Sequence, residues 1–161
     1  MKQIYLIRHA KSSWEFPELN DLVRPLAQRG KTDVVRIGNY IAENNIKPDY
    51  IISSPATRAL HTAIEIANIV TYDTNKIDIA KVIYFGDERE IIKYIQTIDD
   101  KFNTIFVFGH EPVLSLLIEQ LSGVVVDKFP TCAIFGVEFK TNNWEKIKKG
   151  TQSIFIIPKM I

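Results

Sequence analysis

Ile4-Tyr5-Leu6-Ile7-Arg8-His9-Ala10 sets an apolar, β-prone run of four residues directly against an Arg-His pair. A run without alternation predicts a strand buried on both faces, the kind found in parallel sheets. At its carboxyl edge such a strand would deliver a guanidinium able to hold an anion and an imidazole able to attack it. Taken alone, an ordinary charged strand end is the better reading. Arg58 and His110 change the balance.

Both lie where further strands are expected to end. Tyr50-Ile51-Ile52 reads as a second strand, and Ser53-Ser54-Pro55 as a helix start with Ser54 placed to cap it and Pro55 at the first helical position. Arg58 then falls in the first turn. Thr104-Ile105-Phe106-Val107-Phe108 is the clearest strand in the chain, and Gly109-His110-Glu111-Pro112 turns it into a helix carrying Leu114, Leu117, Ile118 and Leu121. Between these blocks, Lys11 to Asp21 reads as a polar loop. Arg24-Pro25-Leu26 is expected to open a helix with Leu26, Gly30, Val34, Ile37 and Ile41 on one face. Ile79 to Tyr84 predicts a third strand, and Ile91, Ile92, Ile95 and Ile98 a helix after it. Past Gly123, the segments Cys132 to Phe139, Trp144 to Lys148 and Ser153 to Ile157 read as strands. Strand and helix in alternation predict an α/β fold of three layers, α/β/α. Its central sheet is mostly parallel, with antiparallel strands near the C-terminus.

A chain of 161 residues is the size of one domain, expected to span residues 1–161. Its 20 Lys and Arg nearly balance its 19 Asp and Glu, so no general field exists to hold nucleic acid or a membrane surface. Any anion site must be local. The one cysteine, Cys132, has no partner for an internal disulfide and reads as a small buried hydrophobe. No apolar stretch reaches membrane-spanning length, and the opening run is too short for a signal peptide. A cytoplasmic monomer is the default expectation.

In open α/β sheets a ligand binds outside the carboxyl ends of the strands, where helix amino-termini also point. One pocket there could collect Arg8, His9, Arg58 and His110. Two guanidinium forks, two imidazoles and free backbone N–H groups suit a phosphoryl group, which carries about −1.5 to −2 charge at neutral pH. No Gly-rich phosphate loop, carboxylate pair or metal-ligand spacing accompanies them, so no metal or other cofactor is expected and a histidine nucleophile is the economical solution. Two neighbouring Arg charges would lower the pKa of His9 and keep it neutral. His110 would donate hydrogen bonds to the phosphoryl oxygens, protonated by the presence of bound phosphate. A bell-shaped rate profile around neutral or mildly acidic pH follows.

Arg8-His9-Ala10-Lys11, Arg24-Pro25-Leu26 with Gly30, Ser53-Ser54-Pro55-Ala56-Thr57-Arg58-Ala59 with Thr62-Ala63, and Gly109-His110-Glu111-Pro112 occur in order over some two-thirds of the chain. This series resembles the motifs of the histidine phosphatase superfamily, and its small phosphohistidine phosphatases fit best in length. The resemblance implies a phosphoglycerate mutase-like fold and a phosphatase acting through a phosphohistidine intermediate. It makes His9 the nucleophile and sets Arg8, Arg58 and His110 to hold the phosphoryl group. Arg24 would contact substrate at the pocket mouth, with a salt bridge at the helix start as an almost equal reading. Ser12 would add a hydroxyl, with a plain loop serine as the alternative. His61, one helical turn past Arg58, reads as a non-catalytic helix residue.

Two matters stay open in the sequence. Asp87, Glu88 and Glu111 are the candidate general acids, yet none belongs to a donor motif; all three read equally as surface charges, with Glu88 and Glu90 favouring the first turn of their helix. A substrate with a good leaving group, such as protein phosphohistidine, would need less acid. The short interval between Arg58 and His110 leaves no room for an extra lid, which predicts an open pocket. A phosphorylated protein is therefore the expected partner, a small phosphomonoester such as a sugar phosphate the alternative, and a non-catalytic phosphate-binding adaptor the third reading.

Overall fold

The computed structural model describes residues 1–161. Its strands are β1 (Lys2–Arg8), β2 (Tyr50–Ser53), β3 (Asp78–Ile79), β4 (Thr104–Gly109), β5 (Ile134–Phe139) and β6 (Thr151–Ile156). They form a six-stranded sheet in the order β3-β2-β4-β1-β5-β6. The first four run parallel where they pair, whereas β5 is antiparallel to both β1 and β6. The helices are α1 (Gln28–Glu43), α2 (Thr57–Ile69), α3 (Val82–Phe85), α4 (Glu88–Ile95) and α5 (Val113–Ser122). No helix is long and apolar enough to cross a membrane.

Because successive side chains of a strand point to opposite faces, the apolar runs feed two cores. Ile4, Leu6, Ile105 and Val107 pack with Ile91 and Ile95 of α4 and Leu114 and Leu117 of α5. Tyr5, Ile7, Phe106 and Phe108 pack with Val34 and Ile37 of α1 and Ala63 and Ile66 of α2. This is the expected three-layer α/β/α arrangement. Cys132 is buried in the second core, as expected.

Four local expectations are corrected. Arg24-Pro25-Leu26 does not open α1, whose cap is Ala27. The segment stays extended because it pairs with the chain after β1: Ser13 N–H donates to the Pro25 carbonyl at 2.8 Å and Ala27 N–H to that of Lys11 at 2.9 Å. Likewise, α2 begins at Thr57 rather than Pro55, and Ser54 Oγ accepts the N–H of its cap residue Ala56 at 3.1 Å. The strand expected over Ile79 to Tyr84 ends at Ile79, and the chain turns into α3. Trp144 to Lys148 is not a strand but begins with a 3₁₀ turn, Trp144–Lys146. There the buried Trp144 donates its backbone N–H to Asp100 and its indole N–H to the Phe102 carbonyl, both at 2.8 Å. Those bonds fasten the loop before β4 in place of sheet pairing.

Candidate active site

Arg8 is aligned with Gly109 and Ser53 with Phe108. His9, Ser54 and His110 therefore follow three neighbouring strand ends at one level. A cavity of about 330 Å³ lies there, lined among others by Arg8, His9, Ser12, Arg24, Arg58 and His110. The structure thus brings together the four groups named first in the sequence and both residues given a secondary place.

His9 is 7% exposed. Its Nδ1 lies 2.8 Å from the Ala10 carbonyl oxygen. A carbonyl can only accept, so Nδ1 carries the proton and Nε2 keeps its lone pair. Burial pulls its pKa down to about 4, against the Ala10 bond that raises it, and the charges of Arg58 and Arg8 lower it further. The neutral state agrees with the sequence reading; its first cause is burial rather than the Arg charges.

The His110 ring stands 5.2 Å from that of His9, centroid to centroid. Arg58 Nη2 approaches His110 Nδ1 at 3.4 Å, and a guanidinium only donates. The His110 proton therefore sits on Nε2, which donates to Ser54 Oγ at 2.7 Å. Burial first, then His9 and Arg58, depress the His110 pKa to about 3.

Arg8 donates from Nη1 to the Phe129 carbonyl at 3.1 Å, while its buried Nε has no partner. Arg58 is held by Asp21, a residue the sequence reading missed. Its Nη1 donates to the Asp21 carbonyl at 2.8 Å and its Nη2 to Asp21 Oδ2 at 3.0 Å. The same carboxylate accepts from Arg24 at 2.6 Å and from the Tyr84 hydroxyl at 2.7 Å. These partners, Tyr84 foremost, hold Asp21 below the ordinary carboxylate pKa. Arg24 also lies 3.6 Å over the Trp14 ring. Both sequence readings of Arg24 are thus realised, since it lines the cavity and forms a salt bridge. An acid three residues ahead of the Arg-Pro-Leu block was the available signal for Asp21. Nothing in the sequence marked Tyr84.

Of the candidate acids, Glu111 lines the cavity, but Ser115 occupies both its oxygens, through N–H at 2.8 Å and Oγ at 2.5 Å. Asp87 and Glu88 are not brought there. Asp87 caps α4 in a reciprocal arrangement with Glu90, and Glu88 occupies the first turn. His61 lies outside the cavity, 3.7 Å from Glu65 on the next turn.

The sequence matches the Histidine phosphatase superfamily (branch 1) over residues 4–86. It is 23% identical to the phosphohistidine phosphatase SixA of Escherichia coli strain K12 over 150 residues, covering 89% of this chain and 92% of that one. The fold superposes on the protein histidine phosphatase SixA complexed with tungstate with a TM-score of 0.86 at 22% identity, covering 98% of each chain. A mycobacterial glucosyl-3-phosphoglycerate phosphatase gives a TM-score of 0.66 at 10% identity, covering 96% of this chain and 98% of the other.

Proposed function

The chain belongs to the histidine phosphatase superfamily, and from that premise we propose that it is a metal-independent phosphatase that removes phosphate from protein phosphohistidine through His9. The observation that carries this reading is the His9 tautomer. Nδ1–H is committed to the Ala10 carbonyl, and Nε2 is left as the unprotonated nucleophile on a wall of the cationic cavity. In the first step the Nε2 lone pair forms a bond to phosphorus. The phosphorus–nitrogen bond to the substrate imidazole breaks, and that imidazole takes its proton from solvent. In the second, water attacks the phosphoryl group on His9, the phosphorus–Nε2 bond breaks, and orthophosphate leaves.

Arg8, Arg58, Arg24 and His110 are assigned to the phosphoryl oxygens. Each hydrogen bond to a charged group contributes roughly 1.5–3 kcal/mol, so a few of them neutralise the developing charge without a metal. The choice of substrate follows from the acids. Asp21 is held ionised by Tyr84 and two Arg side chains, and Glu111 is engaged by Ser115. Neither is a ready proton donor for an alkoxide, whereas an imidazole leaving group needs little help.

A small phosphomonoester is the second reading, because a cavity of about 330 Å³ lies within the range that encloses a metabolite, about 300–1,000 Å³. Turnover of phosphohistidine peptide, phospholysine and common phosphomonoesters by the purified chain separates the two. Preference for the phosphohistidine peptide is expected; equal or better turnover of the esters would replace the first reading by the second.

A further inference from the structure

A second cavity, of about 800 Å³, opens between the first half of α1, residues 128–131 and the end of β6 with the segment that follows it. Thr131 lines both cavities, so the larger one adjoins the one at His9. Half-buried Phe155 and Ile157 give it apolar wall. Four Lys or Arg side chains also line it, the exposed Arg29 and Lys128 among them, against one carboxylate, Asp33. Asp33 lies 3.9 Å from both Arg29 and Arg36, which leaves the cations in clear excess.

The chain as a whole is nearly neutral. Yet the two cavities together are lined by eight of its 20 Lys and Arg and by two of its 19 Asp and Glu, with Asp21 a third carboxylate bonded to Arg24 and Arg58 beside the first cavity. One phosphoryl group accounts for the cations around His9 but not for those beyond Thr131. A small phosphorylated metabolite would fill the first cavity and leave the second empty. Apolar wall flanked by positive charge complements a polypeptide segment that combines acidic and apolar side chains.

We propose that this groove docks an acidic, partly apolar segment of the phosphorylated protein whose modified side chain enters the cavity at His9. The proposal rests on the protein-substrate reading above and adds to it a binding site remote from the chemistry. Docking there raises the occupancy of the catalytic cavity without touching the reacting atoms, and it weakens with salt because the rim charges are exposed.

The test reads binding directly, so it stands apart from catalysis. A labelled, unphosphorylated peptide of alternating Glu and Leu is titrated with the full chain by fluorescence anisotropy, beside a Gln and Leu counterpart. Binding of the Glu peptide about tenfold tighter is expected, as rim-charge complementarity provides. The preference should vanish in Arg29→Glu/Lys128→Glu and survive saturating inorganic phosphate. Equal affinity for the two peptides, a preference unchanged in the double variant, or displacement by phosphate would overturn the proposal. Hydrolysis of phosphoramidate, expected to be equal in both proteins, reports separately on the His9 reading; its loss in the double variant alone would show that the groove is not remote from the chemistry and would also overturn the proposal.

Discussion

At the residue scale, His9, the proposed nucleophile, is defined by what stands behind it. Cys132, whose backbone occupies the left-handed region at φ 61, directs its N–H at the carbonyls of Arg8 and His9, each at 3.1 Å. The Ala10 carbonyl then fixes the imidazole tautomer. On the opposite wall, Asp21 positions Arg58 through two hydrogen bonds and shares its carboxylate with Arg24 and Tyr84. Asp21→Ala is therefore expected to lower kcat/KM by roughly ten- to a hundredfold, the usual cost of a misplaced catalytic group, with the thermal midpoint little changed; full activity in the variant would remove Asp21 from this role. The pH profile follows from the two imidazoles. With His9 at about 4, its imidazole is neutral throughout the neutral range. With His110 at about 3, the free protein holds no proton on its Nδ1 at neutral pH, so in the proposed mechanism that proton arrives with the phosphoryl group. For a phosphomonoester probe, kcat/KM should stay level near pH 5 and fall above about pH 6, where a phosphoryl group loses its second proton. A rate that climbs from pH 7 to 9 would contradict this assignment.

At the element scale, the site is a product of strand ends, and this is why so much of it was legible. Buried parallel strands are apolar along most of their length, so Arg8 at the end of β1 and the histidines that follow β1 and β4 stand out, and Arg58 lies in the first turn of α2, just after β2. What was not legible depended on pairing at a distance. Leu26 keeps helical spacing with Gly30 and Val34, yet the Arg24-Pro25-Leu26 segment is drawn into extended pairing with residues 11–13. Tyr84 looked like strand residue because its local composition is β-prone, whereas its hydroxyl is used across the fold by Asp21. Trp144 misled for the same reason, since its bonds are to the loop before β4. The close approach of α1 to residues 11–13 is itself testable. A Cβ on Gly30 would lie 2.3 Å from the Lys11 carbonyl oxygen. Gly30→Ala should cost about 1–3 kcal/mol, the range for overpacking a filled site, measured by urea unfolding. A neutral or stabilising effect would show that the helix can yield there.

At the scale of the whole molecule, burying two neutral imidazoles ties catalysis to acid stability. Both histidines are held below their ordinary value of 6.5 in the folded chain, first by burial. Between those lowered values and 6.5 the unfolded chain binds more protons, so stability is fully present above pH 6.5 and falls as the pH falls toward 4. For His9 the loss by pH 4 is on the order of 3 kcal/mol. His9→Gln/His110→Gln should flatten that slope in urea unfolding series at pH 4 to 7; an unchanged slope would place its origin elsewhere. The same two residues carry the central claim, which is that phosphate passes covalently through His9. Rapid neutral quenching during turnover of phosphoramidate, followed by mass spectrometry of the intact chain and its peptides, tests it most directly. Phosphate on His9 that disappears, together with turnover, in His9→Ala is the predicted result. An unlabelled His9 during turnover, with activity retained in His9→Ala, would contradict it.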